Sequence, residues 1–147
     1  MRFLKGIIKL VFYIVFVAAA IYFTPKILSK ALHTQYPLAT ITSGSMWPVL
    51  KTDDLIVMKG ISGRDAEVGE IIVYQNTAQG FTIHRLIRKE NGTLVTKGDA
   101  NDAEDPPIEE KDVIGTILTI GTWPVHIPWL GVVARQFGPQ LQNIYQK

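Results

Sequence analysis

A long apolar run opens the chain, and its pattern is typical of a helix that crosses a membrane. Within residues 6–23 the only charged residue is Lys9. These eighteen residues would reach roughly 27 Å as a helix, which is close to the hydrocarbon thickness of a bilayer. Arg2 and Lys5 add positive charge on the N-terminal side, which predicts a cytoplasmic N-terminus and an exported remainder. Residues 1–25 are therefore predicted to be a basic stub and a transmembrane anchor.

Two other interpretations of this run remain open. Basic residues, an apolar run and three alanines at positions 18–20 resemble the three regions of a cleavable signal peptide. The run continues past the alanines as far as Phe23, which makes it longer than a typical signal-peptide core and favours a permanent anchor. A buried helix of a soluble domain is the third interpretation.

After Pro25 the pattern changes from one long apolar run to short runs separated by turn signals. Residues 26–35 have helix-like content, and this segment is expected to end at Tyr36 because a residue before proline disfavours the helical region. Asn91 and Gly92, between two apolar runs, are a strong signal for a two-residue hairpin turn. Strands are predicted at 38–42, 55–58, 70–74, 81–87, 93–96 and 112–121.

Many short strands, with almost no helical periodicity beyond the N-terminus, predict a mainly β domain over residues 26–131 and a tail over 132–147. Trp123 and Trp129 lie among prolines and aliphatic residues. They are equally suited to closing the core and to resting at a membrane interface. The apolar part of this region is too short for a second span, and residues 136–147 are polar enough for a surface helix or a frayed end.

Composition and charge narrow the classes of function. At 147 residues with 47% hydrophobic content, the chain is long enough for one domain with a core and one extra element. The net charge is +2 and no basic run is interleaved with aromatic residues, so nucleic acid is not an expected partner. The absence of cysteine excludes disulfides, thiol catalysis and cysteine-ligated zinc, and it leaves the redox compartment undetermined.

The serine turn, residues 42–48, is the first candidate for chemistry. Two serines separated by a glycine, and followed by Met46, Trp47 and Pro48, form a rigid bend that exposes Ser45. A serine in such a bend is more often only a turn residue. A nucleophilic serine needs a base, an orienting group and oxyanion donors that converge in space.

Three histidines are available as that base. His33 lies near the membrane exit and His126 lies between two prolines, so both are interpreted as structural. His84 falls on a regular strand inside the predicted hairpin, where the pleat fixes the direction of its side chain. A single strand histidine is more often a core or edge residue, so His84 needs further support.

An acidic run at residues 97–107 directly follows the hairpin strand that pairs with the strand of His84. Such runs are usually solvated loops, and a calcium site is the functional alternative. The EF-hand template requires an oxygen ligand where the chain has Ala103 and glycine where it has Glu104, so a calcium loop is disfavoured. The position of the run can instead bring a carboxylate to the imidazole.

Three segments of the chain resemble the sequence boxes of type I signal peptidases. Residues 43–48 resemble the serine box, residues 83–85 the second box, and residues 97–102 with Asp105 the acidic box. The boxes follow an N-terminal anchor in the family's order, and the resemblance covers roughly residues 1–131. Histidine in the second box resembles the endoplasmic-reticulum-type branch, since the bacterial housekeeping branch has lysine there. The resemblance implies a signal-peptidase-like β domain carried by one N-terminal transmembrane helix.

The same resemblance implies a Ser-His mechanism, with Ser45 as nucleophile and His84 as general base. By family position, Asp105 is expected to orient His84. Asp99 is expected to be a supporting active-site carboxylate, and Asp102 is the reserve for the orienting role. The resemblance implies neither a metal ion nor another cofactor.

The resemblance also implies roles for the neighbours of Ser45. Ser43 corresponds to the serine whose hydroxyl donates to the oxyanion, together with the backbone N–H of Ser45. Met46 is expected to line the substrate pocket, and Pro48 is expected to hold the turn. The chain departs from many relatives of this branch because it lacks a convincing second span at its C-terminus.

The implied function is that of a membrane-bound serine endopeptidase that removes signal peptides from exported precursor proteins. The family implies small residues at the first and third positions before the cut. Expected partners are signal-peptide-bearing precursors and the lipid bilayer, while accessory membrane subunits are an open question. The expected location is the cell membrane, or the endoplasmic reticulum membrane in a eukaryote. The resemblance implies a single pass, with an extracytoplasmic catalytic domain.

Two rival functions are weaker. Soluble Ser-Lys self-cleaving repressors have a similar serine turn, but the anchor and His84 count against that class. A catalytically inactive, membrane-anchored β module that binds export partners is a rival of a different kind. Labelling of Ser45 by a serine-reactive acylating inhibitor would separate the enzyme from the module.

Overall fold

The computed structural model describes residues 2–76, 80–133 and 135–136. These residues include one long N-terminal helix, α1, a short 3-10 helix and ten β-strands, and residues 130–133 and 135–136 are also helical. Helix α1 spans Arg2–Ala31, and the 3-10 helix spans Glu110–Asp112. The strands are β1 (Leu38–Thr40), β2 (Leu55–Lys59), β3 (Ile71–Asn76), β4 (Gly80–Glu90), β5 (Thr93–Lys97), β6 (Ile108–Glu109), β7 (Val113–Ile117), β8 (Thr119–Ile120), β9 (Trp123–Pro124) and β10 (His126–Ile127).

Helix α1 is long, apolar and exposed. Within the residues that the structure describes, Leu4–Ala31 is the one helical stretch long and apolar enough to cross a membrane, and its apolar window is not buried in the protein. Phe12, for example, keeps 72% of its surface exposed. The interpretation of this run as a buried helix of a soluble domain is therefore wrong.

The helix passes through Pro25 without ending. The predicted helix-like segment after this proline is therefore the last part of α1, and it stops at Ala31. His33 follows in the left-handed conformation with φ of 51°, and the N–H of Thr34 donates to the carbonyl oxygen of Ser29 at 3.2 Å. This is the hydrogen bond of a Schellman-type helix end, which satisfies a terminal carbonyl.

Two backbone contacts join the end of α1 to the β domain. The N–H of Gly60 donates to the carbonyl oxygen of Leu32 at 2.8 Å. A Cβ at position 60 would lie 2.0 Å from the carbonyl oxygen of His33, so this close approach of two backbones requires glycine. The helix therefore meets the domain directly after β2.

Eight strands form one antiparallel sheet in the order β1-β2-β7-β3-β4-β5-β6, with β10 also paired to β2. The first half of β2 pairs with β1 and β10, and its second half pairs with β7. Strands β8 and β9 form a separate hairpin. Between β4 and β5, Asn91 and Gly92 have φ values of 48° and 83°, as a type I′ turn requires. The predicted hairpin turn is confirmed.

Strand β3 is buried on both faces. Ile71 and Val73 belong to a first apolar cluster, which includes Met46, whereas Ile72 and Tyr74 belong to a second cluster. Burial on both faces explains why β3 is a continuous apolar run in the sequence. The first cluster also contains Ile41, Leu50, Ile56, Met58 and Ile117, and the second also contains Ala66, Leu86, Leu94 and Val113.

The mainly β fold with one N-terminal helix is confirmed. The predicted strands are present with ends shifted by up to three residues, although the run at 112–121 divides into part of the 3-10 helix, β7 and β8. The two-residue strands β6, β9 and β10 were not predicted, because two residues are too few to show a period.

Trp123 and Trp129 do not close the core. Trp123 and Trp129 keep 78% and 80% of their surface exposed, so that interpretation of the two side chains is wrong. The segment between the two tryptophans instead contacts the sheet through backbone pairing, since His126 and Ile127 form β10 beside β2. Most of the segment predicted as a surface helix or frayed end, residues 137–147, lies outside the described part of the chain.

Candidate active site

The serine turn is fixed by the residues that follow Ser45. Met46 is 1% exposed and belongs to the first apolar cluster, while Ser45 is half-buried and borders an open groove. The N–H of Trp47 donates to the carbonyl oxygen of Gly44 at 3.1 Å, and the N–H of Leu50 donates to that of Met46 at 2.9 Å. Burial of Met46 and this local hydrogen bonding hold the turn so that Ser45 Oγ faces the groove.

His84 lies in the middle of β4, where it pairs with Ile72 of β3, and it is 8% exposed. Its Nε2 is 3.0 Å from Ser45 Oγ, and its Nδ1 is 2.6 Å from Asp105 Oδ2. An ionised carboxylate can only accept hydrogen bonds. The proton of a neutral His84 therefore lies on Nδ1, and Nε2 is left to accept from the Ser45 hydroxyl. The three side chains form one line of hydrogen bonds.

Asp105 is held by β5, the strand that precedes its loop. Its N–H donates to the carbonyl oxygen of Thr96 at 2.8 Å, and Thr96 Oγ1 donates to Asp105 Oδ2 at 2.7 Å. The Tyr74 hydroxyl faces the same oxygen at 3.4 Å. Thr96 and Tyr74 were not candidates from the sequence. Their one sequence signal is that they lie on the two strands that flank the strand of His84.

The acidic loop also contacts the serine turn through the backbone. The N–H of Ala100 donates to the carbonyl oxygen of Ser45 at 2.8 Å, and the N–H of Asn101 donates to that of Gly98 at 3.0 Å. A Cβ at position 98 would lie 2.7 Å from the Ser45 carbonyl oxygen and equally close to the Asn101 side chain. Glycine at this position lets the loop approach the turn, which places Asp105 and Ser45 around one imidazole.

The other two acidic candidates lie elsewhere in the loop. Asp99 forms a bidentate ion pair with Arg85, at 2.8 Å to Nε and 2.6 Å to Nη2. These hydrogen bonds raise the pKa of the Arg85 guanidinium, although partial burial opposes the shift. Arg85 Nη1 also donates to the carbonyl oxygen of Gly69 at 2.7 Å. Asp102 is exposed. Asp105 therefore contacts His84. Asp99 contacts Arg85, the residue that follows His84 in the sequence.

Ser43 lies beside Ser45 at the mouth of the groove. Its Oγ is 3.0 Å from Ser45 Oγ, and it is exposed. The groove has a volume of about 690 Å³ and is lined by both serines, His84 and Asp105. Apolar side chains of β4 and the β1 region, together with Met46, complete its walls. Two serine hydroxyls, an imidazole and several apolar side chains therefore border the same space.

Two further side chains shape the electrostatics around this line. Burial raises the pKa of the Tyr74 hydroxyl, and the negative charge of Asp105 adds to the shift. Tyr74 therefore remains a protonated hydroxyl at neutral pH. Thr96 is fully buried, so a water molecule cannot take the place of Asp105 as the acceptor of its hydroxyl hydrogen bond.

The remaining histidines have structural surroundings. His33 occupies the left-handed position that ends α1. His126 Nδ1 is 2.9 Å from Asp54 Oδ2, and Asp54 is 2% exposed. The Asp54 carboxylate also accepts from the N–H of Lys51 at 2.9 Å. This pair joins β10 to the turn that precedes β2.

Comparison with known proteins gives a consistent set of relatives. No family model matches the chain. It is 33% identical over 122 residues to the signal peptidase complex catalytic subunit SEC11 of Pyricularia oryzae, and 32% identical over 122 residues to that of Metarhizium acridum. Each alignment covers 74% of this chain and 67% of the relative. The corresponding subunit of Zygosaccharomyces rouxii is 29% identical over 133 residues, which cover 80% of this chain and 75% of the relative.

Proposed function

The chain belongs to the type I signal peptidase family, in its endoplasmic-reticulum-type branch, and on this premise we propose that Ser45, His84 and Asp105 carry out its reaction. Its activity is that of a signal peptidase, a serine endopeptidase that removes signal peptides from precursor proteins. The observation that carries the residue assignment is the line of hydrogen bonds from Ser45 Oγ to His84 Nε2 at 3.0 Å and from His84 Nδ1 to Asp105 Oδ2 at 2.6 Å.

The hydrogen bonds that join Ser45, His84 and Asp105 allow the proton transfers that an acyl-transfer reaction requires. His84 Nε2 takes the hydroxyl proton as Ser45 Oγ attacks the carbonyl carbon of the scissile bond. The protonated imidazole then donates that proton to the leaving amine, and the acyl group remains on Ser45. In the second half of the reaction His84 takes a proton from water as the water oxygen attacks the ester carbon. The protonated His84 then returns this proton to Ser45 Oγ as the bond between Oγ and the acyl carbon breaks, which releases the new C-terminal carboxyl group and restores the free serine. Asp105 holds the tautomer and stabilises the positive charge on His84 in both halves.

The negative charge that develops on the carbonyl oxygen needs donors. We propose the Ser43 hydroxyl and the backbone N–H of Ser45 for this role. The position of Ser43 supports it, because Ser43 Oγ lies 3.0 Å from the nucleophilic oxygen and lines the same groove. One such donor contributes about 10²–10³-fold to the rate in serine proteases.

The groove fits an extended substrate segment with small side chains near the cut. Its walls include Ile41, Met46, Phe81 and Ile83, which provide apolar contacts beside the Ser45 hydroxyl. Met46 is fully buried behind the turn, so it would close the bottom of a pocket. We propose that bulky residues at the first and third positions before the cut collide with these walls.

Helix α1 gives the enzyme its location. We propose that it is a permanent single-pass anchor with a cytoplasmic N-terminus, that the β domain is extracytoplasmic, and that the domain and tail divide near residue 131. Enzyme and precursor would then share one membrane, which raises their effective concentration and limits the bonds within reach of Ser45. The membrane is that of the endoplasmic reticulum in a eukaryote and otherwise the cell membrane. The relatives are named as subunits of a complex, so we propose accessory subunits as partners besides precursors and lipid.

Membranes from cells that express the full chain are expected to cut a labelled precursor once, directly after its signal peptide. Gel mobility measures the cut and N-terminal sequencing locates it. The matched control is the same precursor with bulky residues at the first and third positions before the cut, which is expected to stay whole. A wild-type chain that binds the unmodified precursor and leaves it whole would instead identify an inactive binding module.

A further inference from the structure

One oxygen of the Asp105 carboxylate is shared by side chains from three adjacent strands. Oδ2 accepts from His84 Nδ1 of β4 at 2.6 Å and from Thr96 Oγ1 of β5 at 2.7 Å. The Tyr74 hydroxyl of β3 faces it at 3.4 Å and lies 3.3 Å from Thr96 Oγ1. The carboxylate that orients the imidazole therefore has hydrogen-bond donors other than the imidazole itself.

These additional donors are buried. Thr96 is 0% exposed and Tyr74 is 3% exposed, whereas the Asp105 side chain keeps 19% of its surface exposed. Hydrogen bonds to an anion are strong, and they are stronger where water is excluded. Each bond that Oδ2 accepts from a neutral hydroxyl spreads its negative charge, and this leaves less charge to stabilise a positive imidazole.

We propose that Thr96 and Tyr74 are positioning residues, which hold Asp105 Oδ2 in line with His84 and share its negative charge. The inference rests on the proposed role of His84 as general base. A base must be neutral to accept a proton, and a carboxylate whose charge is directed at the imidazole alone favours the protonated form. Sharing the charge therefore weakens the stabilisation that Asp105 gives to the protonated imidazole.

The surroundings of His84 allow this effect to be isolated. Among the described residues that line the groove, the titratable ones are Tyr74, His84 and Asp105. The next charged side chain along β4 is that of Arg85. It forms an ion pair with Asp99, so the two charges offset each other. Burial raises the pKa of Tyr74, so its hydroxyl remains a donor over the neutral range.

Backbone pairing keeps Asp105 in place when the Thr96 hydroxyl is removed. The N–H of Asp105 donates to the carbonyl oxygen of Thr96 at 2.8 Å, and this bond does not depend on the Thr96 side chain. Valine has nearly the shape of threonine without its hydroxyl. Thr96→Val should therefore change the charge on Oδ2 more than the position of the carboxylate, and Thr96→Ser should preserve both.

The test uses the full chain in detergent micelles with isotope-labelled histidine. The chain has three histidines, so His33→Gln and His126→Gln assign the His84 signals. We expect Thr96→Val to move the midpoint of the His84 titration upward by roughly half a pH unit to one unit. The reason is that a carboxylate with one hydrogen bond fewer keeps more negative charge to stabilise the protonated imidazole. Tyr74→Phe should move it in the same direction by less, because its contact is longer, and Thr96→Ser should leave it in place.

The pH profile of precursor cleavage is measured on the same variants. Its acid limb is expected to move to higher pH in Thr96→Val in step with the His84 signals. Titration midpoints unchanged or lowered in both Thr96→Val and Tyr74→Phe would overturn the inference, even if the cleavage rate falls, because such a fall would then reflect structure alone. If Thr96→Val does not fold, Tyr74→Phe decides in the same way. The titration needs no substrate, so it separates failure of this inference from failure of the proposed function.

Discussion

Replacing Ser45 with alanine is expected to abolish precursor cleavage, with a loss of roughly 10⁴-fold or more in rate. The variant removes one oxygen atom, which is the nucleophile, and leaves His84 and Asp105 in place. Folding should persist, because Ser45 is half-buried and the turn is held by the fully buried Met46. The rate is measured with a labelled precursor in membranes, and folding by thermal unfolding of the purified protein.

Ser43→Ala is the matched control for this variant. It removes the same kind of atom two residues away and 3.0 Å from the first. The expected loss is smaller, about 10²–10³-fold, because an oxyanion donor contributes to the rate and does not form the covalent bond. Equal rates for the Ser45→Ala variant and the wild type would exclude Ser45 as the nucleophile.

Asp105→Asn is expected to lower the rate of cleavage by about 10³–10⁴-fold without loss of the fold. The asparagine amide can donate to His84 Nδ1, which moves the imidazole proton to Nε2. The nitrogen that faces Ser45 Oγ at 3.0 Å would then be a donor and could not accept the hydroxyl proton. The rate constant of cleavage at saturating precursor is the quantity to measure, since substrate binding does not require Asp105.

Asp99→Asn separates the two acidic candidates. Asp99 contacts Arg85, so this variant leaves the line from Ser45 to Asp105 complete. We expect a loss of less than about tenfold in rate, and a loss of about 1 kcal/mol in the free energy of unfolding, because the ion pair is only partly buried. If Asp99→Asn were inactive and Asp105→Asn active, the assignment of the orienting carboxylate would have to be reversed.

The sequence predicted the pair of Ser45 and His84 more securely than the choice of carboxylate. A strand fixes the direction of His84 by its two-residue period, and the Asn91-Gly92 turn fixes its hairpin partner. The loop that carries Asp99, Asp102 and Asp105 has no period. Its conformation depends on backbone bonds to distant residues, such as Ala100 to the Ser45 carbonyl, and a sequence does not display such contacts.

Thr96 and Tyr74 could not be predicted from the sequence for a different reason. Threonine and tyrosine are ordinary strand residues, so nothing in their type marks them as neighbours of a carboxylate. Only the order of β3, β4 and β5 in the sheet brings them to the two sides of His84. The exposed tryptophans show the same limit, because apolar composition suited both the core and a membrane interface.

The most direct test of the central claim is the position of a covalent adduct. The full-length protein is treated with a serine-reactive acylating inhibitor, digested, and mapped by mass spectrometry. We expect one acyl group on Ser45 in the wild type, and slow or absent labelling in His84→Ala, because the base that activates the hydroxyl is missing. An adduct on a different residue, or equal labelling of Ser45 without His84, would contradict the assignment of Ser45 and His84 as nucleophile and base.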